Sequence, residues 1–160
     1  MFSGINAFTL FHVMLSVVGI ISGLVVIGGL LTAQRLSGWT PVFVWTTVAT
    51  TATGFLFPFN GVTPAVATGV VSTVVLILLL VALYVKKLAG GWNRTYVITA
   101  VISVYLNCFV LVAQLFLKMP ALQALVPNGN EPPFAISQGI VLLLFVCAGY
   151  AAVKRLRAAG

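Results

Sequence analysis

The sequence contains one histidine, His12, and one acidic residue, Glu131. With the amides Asn107, Gln114 and Gln138, these are the side chains whose types could do chemistry. An imidazole can act as a base near neutral pH. Hydrolytic catalysis of the triad kind needs a carboxylate to orient that imidazole, and only Glu131 could supply one. "FHVM" places Met14 two residues after His12, and positions i and i+2 point apart on a helix, so the pair does not make a copper site. One histidine cannot supply both axial ligands of a bis-histidine haem, and neither the ligand count of a zinc site nor a Gly-rich phosphate loop is present. The expectation is therefore no catalytic residue and no metal. Cys108 and Cys147 read as small packing residues.

The amides are more informative. The stretch "YLNCFVLVAQLFLK", Tyr105–Lys118, sets Asn107, Gln114 and Lys118 seven and four residues apart within an apolar run. At about 100° per residue, Tyr96, Ser103, Asn107, Gln114 and Lys118 share one helix face. Amide groups in hydrocarbon seek partners on neighbouring helices, so this face should point into a bundle.

Such a bundle is what the composition demands. Of 160 residues, 61% are hydrophobic and 6% charged, against roughly 25% charged in soluble domains. Apolar runs of about 20 residues recur, each long enough to cross the hydrocarbon core. The expected fold class is all-α: a polytopic integral membrane protein with one transmembrane domain over residues 1–160. Five spans are expected, at about 7–32, 41–57, 64–85, 95–118 and 134–153, with an outer loop at 119–133. The first run is too long, and its flank too poor in basic residues, for a cleaved signal peptide.

Charge sets the expected orientation. Arg35, Lys86, Lys87, Arg94, Lys154, Arg155 and Arg157 fall on one side of a five-span chain, and only Lys118 on the other. Basic residues concentrate on the cytoplasmic side, so the C-terminus should be cytoplasmic and the N-terminus outside, with Trp39 and Trp92 at the inner interface. The expected setting is a bacterial inner (plasma) membrane. The net charge of +7 then serves orientation and lipid contact, not nucleic acid.

Several spans place hydrogen-bonding groups at one level. His12, Gln114 and Gln138 each lie four or five residues inside the outer boundary, about 6–8 Å deep at the helical rise, and Thr51 is near that level. With Ser16 and the deeper Asn107, they form the expected ligand-binding set: His12, Ser16, Thr51, Asn107, Gln114 and Gln138. Lys118 and Glu131 are expected to pair at the outer surface. Gly19, Gly23, Gly54 and Gly69 are expected at close helix contacts, "GIISG" being a small-xxx-small pattern. Intramembrane ionisable residues point to function by default. The leading expectation is therefore a protein that binds or moves a small apolar or amphipathic molecule, such as a lipid or quinone, through an outer-half pocket. A second is an accessory subunit of a larger membrane complex or homo-oligomer. A third is an intramembrane enzyme using His12.

Overall fold

The computed structural model describes residues 7–34, 36–56, 64–128 and 131–159; the side chains of residues 64, 65, 117, 118 and 157–159 lie outside that description. The described residues form helices alone: α1 Ala7–Leu31, α2 Trp39–Gly54, α3 Pro64–Leu80, α4 Trp92–Lys118, α5 Pro120–Gln123 and α6 Pro132–Ala159. A π-turn, Val81–Val85, continues α3. Helices satisfy every backbone group internally, the requirement that lipid imposes. Pro64, Pro120 and Pro132 each open a helix, where the missing N–H costs nothing.

Four helices are long and apolar enough to cross a membrane: α1, α3 with its π-turn, α4 and α6. α2 has 16 residues, about 24 Å at 1.5 Å per residue. It begins at Trp39, two residues before the expected start, because Trp39 and Thr40 donate their N–H groups to the Leu36 carbonyl. α6 runs past the expected residue 153 through the basic cluster to Ala159.

Close contacts fix the helix directions. Gly23 lies against Phe43 and Val104, Gly19 against Thr47 and Asn107, and Gly54 against His12. α1 is therefore antiparallel to both α2 and α4. Gly149 meets Val101, and Gln138 bonds the Phe109 carbonyl, so α6 is antiparallel to α4. Trp45 stacks on Tyr84 and Phe55 covers Gly69, which makes α3 antiparallel to α2. α4 is the central helix, packed on α1, α3 and α6.

The continuous core lies in one half of this bundle. Val26, Ile27, Phe43, Val44, Leu79, Ala82, Val97, Ala100, Val104 and Ala152 pack together, all from the helix halves nearer the basic loops. Toward the Glu131 end, Ser16, Asn107 and Gln114 are only half-buried.

Two turns at the basic end use left-handed backbone. α1 closes with Ala33 N–H on the Leu30 carbonyl and Gln34 N–H on the Gly29 carbonyl, a Schellman arrangement. Ala33 takes the αL position at φ 59°. Gly29 is required beneath it, since an added Cβ would sit 2.8 Å from Leu36 Cγ and 2.9 Å from the Gln34 carbonyl oxygen. After the π-turn, Lys87 and Leu88 both adopt positive φ, at 50° and 62°.

Candidate functional site

The polar stripe of α4 points inward over its first half: Tyr96 and Ser103 are buried and Asn107 half-buried. Toward the Glu131 end, His12 and Gln138 make two separate interhelical bonds. His12 Nδ1 lies 2.7 Å from Thr53 Oγ1, joining α1 to α2. Thr53 already donates to the Ala49 carbonyl at 2.8 Å. The direction of the His12–Thr53 bond follows the imidazole tautomer: Nδ1–H donates to Thr53 when that hydroxyl serves Ala49, and an unprotonated Nδ1 accepts from it otherwise. Gln138 Nε2 donates to the Phe109 carbonyl at 3.1 Å, joining α6 to α4, while its buried Oε1 has no partner among the described residues. Ser16, Thr51 and Gln114 are half-buried.

Glu131 works at the loop. Its Oε1 accepts from the Asn128 N–H at 2.8 Å, and its carbonyl accepts from Phe134 and Ala135 in the first turn of α6. A carboxylate there also suits the positive end of the helix. The expected partner, the Lys118 side chain, lies outside the described residues. Among the described residues no three His, Cys, Asp or Glu side chains gather as a metal site, and Cys108 and Cys147 are free thiols.

All four glycines expected at helix contacts have a neighbour against the missing Cβ. The nearest atoms are Thr47 Oγ1 at 3.3 Å for Gly19, Val104 Cγ2 at 2.5 Å for Gly23, His12 Cε1 at 3.5 Å for Gly54 and Phe55 Cζ at 2.9 Å for Gly69.

At the opposite, basic end lies a cavity of about 290 Å³, near the lower bound of small-molecule sites at about 300 Å³. Val26, Leu30, Leu36, Leu83 and Leu88 give it apolar walls. Gln34, Ser37, Thr40, Tyr84 and Tyr96 bring polar groups to it. Leu83 and Tyr84 of the π-turn and Leu88, one of the two positive-φ residues after it, form one side. π-turns and positive-φ residues are costly and concentrate at functional sites. Lys86 and Lys87 stand between two lining residues, Tyr84 and Leu88, and Lys86 Nζ lies 5.7 Å from the Trp92 ring centroid. Sequence reasoning used Lys86, Lys87 and Trp92 for orientation and Tyr96 for the inward face of α4, and assigned none of them to a site. The Lys-Lys pair flanked by Tyr84 and Trp92 was the available signal; the π-turn itself has no spacing to detect.

Together the fold and its surface define an all-helical bundle with four helices suited to a membrane. Comparison with protein-family models, with curated proteins and with solved structures finds no match.

Proposed function

We propose that this chain is a five-pass membrane protein that holds an amphipathic molecule with an anionic head in the cavity at its basic end. The fifth pass is supported by helix direction. If α2 did not cross, α1 and α4 would run parallel, whereas Gly19 meets Asn107 and Gly23 meets Val104 in antiparallel order. The basic residues favour the cavity end as cytoplasmic.

The observation that carries the reading is the cavity's composition. Leucine and valine walls suit an acyl or prenyl segment, and the Gln34, Ser37 and Tyr84 side chains suit a polar neck. Lys86 and Lys87, exposed in the chain between the lining residues Tyr84 and Leu88, suit an anionic head at its mouth. At the outer level, by contrast, His12 and Gln138 are engaged in interhelical bonds. Those bonds favour packing there over a ligand pocket.

The test is native mass spectrometry of the purified protein after exchange into phosphatidylglycerol or phosphatidylcholine. The expected result is a one-to-one adduct with the anionic lipid only. Ser37→Trp, an exposed loop position at the cavity, should abolish it without unfolding the chain. An adduct unchanged in Ser37→Trp would overturn the proposal.

The accessory-subunit reading draws on α6, whose apolar 18-residue stretch is 11% buried, against 39% for that of α4. A stoichiometric second polypeptide in the spectrum of the protein taken from its own membrane would support that reading. The chain with lipid alone would count against it.

A further inference from the structure

Most helix threonines in this bundle return their hydroxyl proton to the preceding turn. Thr46, Thr50, Thr53, Thr73 and Thr99 each donate to the carbonyl four residues back, at 2.6 to 2.8 Å. Thr47 does not. It is 1% exposed, and its Oγ1 has no hydrogen-bond partner among the described residues. Asn107 Nδ2 is likewise buried and unpartnered. Leaving such groups unpaired costs about 1–3 kcal/mol each, so two orphans from different helices call for a common explanation.

Both converge on Gly19. A Cβ built there would lie 3.3 Å from Thr47 Oγ1, 3.4 Å from Thr46 Oγ1 and 3.7 Å from Asn107 Nδ2. Polar atoms of α2 and α4 thus surround the position that a side chain on α1 would take. Their hydrogen-bonding roles are complementary. Thr47 O–H and Asn107 N–H are donors in need of an acceptor. Thr46 has given its proton to the Val42 carbonyl and can only accept. A single water molecule would accept twice and donate once, the roughly three bonds usual for buried water. A carbonyl oxygen could accept twice but would leave Thr46 unanswered.

We propose that the α1–α2–α4 junction at Gly19 is a binding site for one water molecule, which bridges Thr47 and Asn107 and ties α2 to α4 across the glycine. The site lies mid-helix, apart from the cavity at the basic end, and does not depend on what occupies that cavity.

The test is water-edited NMR of the full chain in nanodiscs with ¹⁵N-labelled asparagine side chains, the Asn107 signal being assigned by its loss in Asn107→Leu. A long-lived water cross-peak to the Asn107 amide is expected. Gly19→Ala places a methyl 3.3 Å from Thr47 Oγ1, so that hydroxyl must shift by a few tenths of an ångström, and should remove that cross-peak while the other asparagine signals keep their positions. Thr47→Val keeps the side-chain shape and should weaken the cross-peak. In thermal unfolding, the loss for Thr47→Val with Asn107→Leu should be smaller than the sum of the two single losses. A cross-peak absent from the parent protein, or unchanged in Gly19→Ala, would overturn the proposal, as would a cross-peak to a ligand carbonyl in its place.

Discussion

Gly23 offers the sharpest test of the packing. An added Cβ there would lie 2.5 Å from Val104 Cγ2 and 3.0 and 3.1 Å from two ring carbons of Phe43. Val104 and Phe43 are both 0% exposed, so neither can swing aside. Gly28, on the same helix, meets nothing within 4 Å. Glycine to alanine gains about 1 kcal/mol of helix propensity at either position, so the difference between the two variants isolates the clash. Overpacking costs about 1–3 kcal/mol. A contact at 2.5 Å against an immobile side chain belongs near the top of that range, so Gly23→Ala should fall about 2–3 kcal/mol below Gly28→Ala. At about 2–4 °C per kcal/mol for a chain of this size, Tm should differ by about 4–12 °C in detergent. Val104→Ala removes the offending Cγ2. Adding Gly23→Ala to Val104→Ala should therefore cost much less than it does in the parent protein. Equal melting of Gly23→Ala and Gly28→Ala would refute the antiparallel contact of α1 with α4.

The His12–Thr53 bond should behave as one polar contact between membrane helices. His12→Phe and Thr53→Val should each lower stability by about 0.6 kcal/mol and at most about 1.7 kcal/mol, and the double variant by less than their sum; full additivity in denaturant titrations would mean the two residues act separately. The proposed topology can be read by labelling in intact cells after Cys108 and Cys147 are replaced by serine. A cysteine at Asn128 should react with an impermeant maleimide from outside, and one at Ala159 only after permeabilisation; the reverse pattern would invert the orientation and place the cavity outside.

Much of the architecture was legible in the residues. Long apolar runs with nine charges among 160 residues leave helices as the economical way to satisfy backbone groups in lipid, because the solvent supplies no hydrogen bonds. The inward turn of Tyr96 and Ser103 could likewise be read from their spacing, since a helix repeats its faces regardless of what it packs against.

What tertiary structure alone decided is which polar groups meet. Spacing assigns His12, Gln114 and Gln138 one expected depth, but depth does not specify azimuth, and the packing sends His12 to Thr53 on α2 and Gln138 to Phe109 on α4. The convergence of Thr46, Thr47 and Asn107 on Gly19 depends on three helix rotations at once. The cavity at the basic end depends on the reversal of α1 over Gly29 and on the π-turn from Val81 to Val85. Both are backbone choices closed by local bonds, Gln34 N–H to the Gly29 carbonyl and Lys86 N–H to the Val81 carbonyl, and neither leaves a periodic trace in the sequence.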